Sequence, residues 1–396
     1  MEVLAFYLPQ FHPIPENDEW WEPGFTEWTN VTKSRPLYSG HRQPRLPAHL
    51  GFSDLRVPEV RDRQAELAKN HGLTGFVYWH YWFGGRKLLE RPMDEMVASG
   101  TPDFPFCVAW ANHPWSDTWM GGTKRIMIDQ SYPGPEDDIA HFDYLRSAME
   151  DPRYVRIDGR PVLFVFRAHR MPDGAQFIDT WQKMATDAGL GGLYTIACGP
   201  FMDVGETMGQ GFDALAFIEK PFDYSTVSSR LTSLLSHSHL RWGPYRYSYA
   251  DFCTSNPPAG LTCAAVPCVW PNWDDTPRRG RNGVVAVGST PERFERQVMG
   301  AVDIARQARE SEQMILIKSW NEWGEGNYLE PDQEFGLGRL EALARGLTAK
   351  GVGIGHQVLT PPASPMLTRG AVGPRRRTAD TSCHGKVRPT APPAGH

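Results

Sequence analysis

The sequence predicts a single (β/α)8 TIM barrel on three observations: about eight short β-branched or aromatic runs, amphipathic stretches between them, and no glycine-rich turn after the first run. The runs are Val3–Tyr7, Gly75–Trp79, Phe106–Trp110, Val162–Phe166, Tyr194–Cys198, Ala214–Ile218, Ala264–Trp270 and Ile315–Ser319. Eight parallel strands suffice to close a ring whose inward side chains fill it. Helices are expected at Pro58–His71, Glu136–Met149, Gly174–Ala188 and Pro291–Arg309, where apolar residues recur every three or four positions and Gly or Pro marks the ends. Gly72 and Gly189 read as helix C-caps. An open doubly wound sheet would alternate in the same way, but it would carry a phosphate-binding glycine turn where Leu8-Pro9-Gln10 stands.

The 396 residues, 40% of them hydrophobic, are enough for one elaborated barrel and a tail. A net charge of −5 offers nothing to nucleic-acid phosphates, so no nucleic-acid partner is expected. No apolar run reaches the roughly 20 residues of a membrane span. No basic region followed by an apolar segment opens the chain, so a soluble, cytoplasmic protein is expected. The cysteines show no CxxC or Cys/His zinc spacing and read as buried reduced thiols; Cys263 and Cys268 are the pair near enough in sequence to meet. The barrel is assigned to residues 1–348. Residues 349–396, rich in Gly, Pro and Arg, read as a disordered basic tail that includes Arg375-Arg376-Arg377.

Barrel enzymes carry their chemistry at the C-terminal ends of the strands. Here those ends are crowded with aromatic and polar residues: Tyr7, Gln10 and His12; Tyr78-Trp79-His80-Tyr81-Trp82; Trp110-Ala111-Asn112-His113; Glu219-Lys220; Trp270-Pro271-Asn272; and Trp320-Asn321-Glu322-Trp323-Gly324-Glu325. Sugars present hydroxyl edges and apolar C–H faces, so a glycan site needs flat rings for stacking beside amides, imidazoles and carboxylates. The expected stacking residues are Trp28, Trp110, Trp270 and Trp323. The expected hydroxyl-binding residues are Tyr7, His80, Asn112, Glu219, Asn272 and Asn321. Glu27, in the long first loop, either reaches the mouth or only braces that loop. The sharpest signal is Glu322 and Glu325, two acids three residues apart leaving the last strand between tryptophans and glycines. Cleavage of a glycosidic bond generally uses two carboxyls, one to protonate the leaving oxygen and one as nucleophile or base.

Long strings carry a family resemblance: Ala5-Phe6-Tyr7-Leu8-Pro9-Gln10-Phe11-His12, Gly24-Phe25-Thr26-Glu27-Trp28-Thr29-Asn30-Val31, Gly75-Phe76-Val77-Tyr78-Trp79-His80-Tyr81-Trp82-Phe83 and Asn321-Glu322-Trp323-Gly324-Glu325-Gly326-Asn327-Tyr328. Over roughly residues 3–346 the chain resembles WbsX-type proteins, related to glycoside hydrolase family 99 and found in polysaccharide- and lipopolysaccharide-biosynthesis settings. The resemblance implies a (β/α)8 barrel and retaining, endo-acting hydrolysis of α-mannosides. It implies no metal or other cofactor. It assigns Glu322 as the base that deprotonates the substrate's 2-hydroxyl, and Glu325 as the general acid/base. Gly324 departs from family 99, where many members have His, and this loosens the transfer of mannose specificity. The partners expected are a glycan substrate and enzymes of polysaccharide biosynthesis. Two other readings stand beside the hydrolase or transglycosylase: a nucleotide-sugar glycosyltransferase, against which no Asp-x-Asp element is found, and a non-catalytic glycan-binding barrel.

Overall fold

The computed structural model describes residues 1–117, 125–199, 203–218, 243–252, 257, 261 and 263–354. The chain divides into two units, Met1–Val358 and Leu359–His396, and the first contains the barrel. Of the expected tail, residues 349–396, the first six are described and ordered, with Ala349 closing a helix and Lys350 Nζ bound to Asp303 at 2.5 Å, while residues 355–396 lie outside the described residues, as do Cys253 and Cys383.

The ring is β1 (Glu2–Tyr7), β2 (Gly75–Phe83), β3 (Phe106–Trp110), β4 (Arg160–Phe166), β5 (Tyr194–Cys198), β6 (Ala214–Ala216), β7 in two pieces (Ala265–Val266 and Cys268–Val269) and β8 (Met314–Ile317). All neighbours pair in parallel, and β1 closes the ring by pairing with β8 in register Val3↔Ile315 and Ala5↔Ile317. Pro267 breaks β7 because it has no N–H to give to a ladder. The upstream piece therefore pairs with β6 and the downstream piece with β8, while the Pro267 carbonyl still accepts from Leu316 N at 2.9 Å. All eight strands thus form where the sequence places them. The main difference is β2, which runs four residues further, to Phe83, and folds back on a short antiparallel strand, Arg86–Leu88.

The expected helices form at Pro58–Asn70, Pro135–Glu150, Gly174–Asp187 and Pro291–Ala305. Asp173 caps the third of these by accepting from Gln176 N at 3.0 Å, and Gly72 and Gly189 take the left-handed φ of +93° and +79° that ends a helix turn. Helix Gly338–Ala349 packs on Pro291–Ala305 at Gly346, where an added Cβ would stand 3.1 Å from the Glu295 carbonyl. Strand faces alternate. Phe6 of β1 points into the ring, stacking on Trp79 at 4.8 Å and meeting Phe164 edge-on. Its neighbour Tyr7 points out, to Gln64 on the surrounding helix Pro58–Asn70. No helix of the described residues is long and apolar enough to cross a membrane, and among the described residues Cys107, Cys198, Cys263 and Cys268 form no disulfide.

Candidate active site

After β8 the chain turns into a small hairpin, Asn321–Glu322 against Asn327–Tyr328, with the turn Trp323–Glu325 between them and Gly326 at φ +57°. The hairpin is tied down on three sides. Asn321 clasps the backbone beyond β1, its Oδ1 accepting from Leu8 N at 2.7 Å and its Nδ2 donating to Leu8 O at 3.0 Å. The Trp323 indole stacks on Tyr328 at 3.8 Å and donates to Glu330 Oε2 at 2.6 Å. Behind the turn, Asp274 N donates to the Glu325 carbonyl at 2.6 Å, and a Cβ on Gly326 would run into Asp274 at 2.8 Å. Asp274 is itself fixed by His41 and Gln43, at 2.9 and 2.8 Å. The free ends of Glu322 and Glu325 point the other way, into a cleft.

The centre of the site is one buried guanidinium. Arg278, on the short helix Thr276–Arg279, donates through Nη2 to Glu322 Oε1 at 2.6 Å, through Nη1 to Glu325 Oε1 at 2.8 Å and through Nε to Glu27 Oε1 at 2.9 Å. Sharing one guanidinium keeps the Glu322 and Glu325 carboxyls side by side, as two carboxyls serving one glycosidic bond must be. Glu27 reaches this point from the long first loop as the first residue of helix Glu27–Lys33, its backbone N–H held by the Gln10 carbonyl at 2.9 Å. Gly324 makes room for it: an added Cβ there would overlap Glu27 Oε1 and lie 2.8 Å from Arg278 Nε. Burial pushes the Glu322 carboxyl up to about 7. Arg278 pulls against this, Glu325 and Glu27 add to it, and Lys318 opposes it. Among the described residues no three His, Cys, Asp or Glu side chains are arranged to hold a metal ion.

The cleft is open to solvent, and the space within it, its mouth included, is about 830 Å³. Its walls are aromatic, with Trp21, Phe25, Trp79, Tyr81, Trp115 and Phe166, and its polar groups beyond the acids and Arg278 include Gln10, Asn30, His113 and Lys318. Burial pushes the His113 imidazole down to about 3, helped by the charges of Arg167, Arg170 and Lys318, so it faces the cleft neutral at ordinary pH. Rings, amides and acids line one concavity, the combination a sugar requires.

Of the residues expected at the site, the structure brings together Glu322 and Glu325. Tyr7 donates to Gln64 Oε1 at 2.6 Å outside the ring, and His80 shares its Nε2 with His141 Nε2 at 2.8 Å under helix Pro135–Glu150. Trp110 packs on His141 and Phe177, and Asn112 donates to the Tyr132 hydroxyl at 3.2 Å. Trp28 donates to the Ser53 carbonyl at 2.8 Å and packs on Phe11, Phe52 and Trp323. Trp270 is buried, Asn321 is the clasp on Leu8, and Trp323 is the stacked pillar of the hairpin. Asn272 is buried, its two side-chain polar atoms have no hydrogen-bond partner among the described residues, and it does not line the cleft. Glu219 lies outside the described residues. For the residues at the ends of β1, β2 and β3 these placements share a physical cause. Successive strand residues face opposite sides, and Leu8, Trp79, Tyr81, Ala111 and His113, each next to an expected residue, are the ones that line the cleft. Arg278 was not expected. In sequence it stands in a basic stretch with Arg279 and Arg281, beside no motif that marks it as part of a site.

The fold is shared with solved structures. A glycoside hydrolase-like protein superposes with TM-score 0.55 at 16% identity, covering 87% of this chain and 93% of that one. The GH99 endo-alpha-mannosidase from Bacteroides thetaiotaomicron, in complex with BIS-TRIS-propane, superposes with TM-score 0.55 at 14% identity, covering 88% and 96%. In sequence, protein WxcX of Xanthomonas campestris pv. campestris strain ATCC 33913 is 38% identical over 353 residues, which is 87% of this chain and 49% of that protein. WxcX of strain B100 is 37% identical over 348 residues. The chain spans about half the length of these curated relatives. Residues 3–343 match the family described as glycosyltransferase WbsX, and the chain is a member of that family.

Proposed function

We propose that the protein is a carbohydrate-active enzyme that cleaves or transfers a glycosyl unit with retention, acting on an α-linked, mannose-like polysaccharide or O-antigen-type glycan. The observation that carries the reading is that Glu322 and Glu325 leave one braced hairpin into one aromatic cleft and share one guanidinium. Glu322 takes the proton of the substrate's 2-hydroxyl, and that oxygen attacks the anomeric carbon. The bond to the leaving oxygen breaks as Glu325 protonates it. Glu325 then takes a proton from water or an acceptor hydroxyl, whose oxygen opens the epoxide-like intermediate while Glu322 returns its proton to the 2-oxygen. A carboxyl pushed up to about 7 suits the first step, because a base poised near the working pH combines ionisation with proton affinity.

The family's description favours a second reading, glycosyl transfer from a nucleotide sugar. One experiment separates the two: the purified protein is incubated with α-mannan and O-antigen fragments, with and without nucleotide sugars, and products are followed by NMR. Release of an α-configured product without a nucleotide donor supports the first reading. Turnover that requires the donor supports the second, and the absence of any glycan binding refutes both.

A further inference from the structure

Glu27 stands outside the pair that performs chemistry, yet it is built into the same cluster. It is 1% exposed and fixed at its backbone to Gln10 in the loop after β1, and its carboxylate occupies the space that Gly324 leaves vacant. For stability alone a third buried acid is a cost, because one guanidinium already faces two carboxylates and each added buried charge must be desolvated. The geometry at Arg278 suggests what the third acid does. Arginine and carboxylate prefer a two-pronged fork, two N–H groups on the two oxygens of one acid. At Arg278 each nitrogen instead goes to a different acid, one oxygen apiece.

We propose that Glu27 is a positioning residue for the reaction: by holding Arg278 at Nε, in room that Gly324 provides, it makes the guanidinium divide itself between Glu322 and Glu325 and prevents it from forking onto either. The inference rests on the glycosyl-transfer reading of that pair. Division leaves one oxygen of each glutamate uncommitted to Arg278. A fork would consume both oxygens of one glutamate and strip the counter-charge from the other. The groups facing Glu322 are Arg278 from the helix after β7, Glu325 from its own turn, Glu27 from the first loop, Lys318 from the end of β8 and Tyr81 from β2; Asp275 faces Glu325 from behind.

The test titrates the side-chain carboxyl carbons of the full chain by 13C NMR, in the wild type and in Glu27→Gln, with the Glu322 signal assigned as the one lost in Glu322→Gln. The amide keeps an acceptor for Arg278 Nε but gives up the charge that competes for the guanidinium. The Glu322 midpoint is expected to fall by about one pH unit or more. On α-mannan oligosaccharides the acid limb of the kcat profile should move down with it, with kcat at neutral pH reduced at least about tenfold and KM changed less than about threefold. An unchanged Glu322 midpoint in folded Glu27→Gln overturns the proposal. If Glu27→Gln does not fold, Glu27→Asp, which keeps the charge but withdraws the carboxylate from Arg278 Nε by one methylene, must shift the midpoint the same way; an unmoved midpoint there overturns it equally. A wild type that turns over no glycan would defeat the enzymatic reading, while the titration would still decide the role of Glu27 within the cluster.

Discussion

Replacing Arg278 with Met, a side chain of similar length and apolar stem, removes the single cation that three buried carboxylates share. Breaking a buried ion pair from one side costs about 3–5 kcal/mol, because the remaining charge stays buried and unmatched. The pH dependence is the more diagnostic quantity. In the wild type Glu322 is half-titrated near neutrality when folded, at about 7, and fully ionised there when unfolded. The unfolded chain therefore binds fewer protons, and stability falls as pH rises, by about 0.7 kcal/mol per pH unit at the midpoint from this group. Without Arg278 the cluster must keep about one further proton through the neutral range, steepening the fall by about 1.4 kcal/mol per pH unit. Urea unfolding followed by circular dichroism from pH 5.5 to 8.5 measures both slopes. The variant should be close to wild type at the acid end and should have lost the full amount at the alkaline end. Two parallel lines would show that Arg278 is not the counter-charge of a proton-holding cluster, and the account of the site would fall with it.

Burial also pushes Glu330 up to about 7, so Glu330→Gln should remove about 0.7 kcal/mol per pH unit of slope near neutrality and gain relative stability above it; an unchanged slope would contradict the burial argument. Glu325→Gln should lower kcat about 10²–10⁴-fold while leaving glycan affinity by calorimetry within about threefold; undiminished turnover removes Glu325 from the acid/base role. Trp115 stands in the cleft wall, edge-on to Tyr81 at 4.9 Å, and Trp115→Ala should raise KM for glycan about tenfold with little change in thermal midpoint, as loss of one stacking ring does. Asp274→Asn weakens the brace behind Glu325 and should cost about 1–3 kcal/mol in unfolding free energy, with kcat falling more than KM rises.

The barrel was legible in the sequence because its strands are short, β-branched or aromatic, and separated by helices with recognisable ends. Pro267 did not obscure β7, since its two pieces still read as one apolar run. The two acids were legible because a pair of carboxylates at a strand end has few bland explanations. What could not be read was which face each residue takes. In an amphipathic sheet, polar and apolar residues alternate and reveal the face, but a barrel strand packs apolar residues on both sides, aromatic filling within and helices without. Tyr7, His80 and Asn112 therefore looked equivalent to Leu8, Tyr81 and His113, although Tyr7 and His80 bond to the surrounding helices and Asn112 to the loop residue Tyr132, while the other three line the cleft. The pairing of Arg278 with Glu27 was hidden for another reason. The two come from opposite halves of the chain and meet only through the fold, and neither carries a local signal of burial. Glu27 presented two options, reaching the mouth or bracing its loop, and the structure has it doing both.

The clasp between Asn321 and Leu8 joins positions 313 residues apart in the chain. Its consequence appears during biosynthesis. A polypeptide still emerging from the ribosome holds the first half of that clasp long before the second exists, and the acids have no braced hairpin to stand on until the final stave has zipped against the first. A chain cut short anywhere before Asn321 therefore lacks the site, however much of the ring its earlier strands have built.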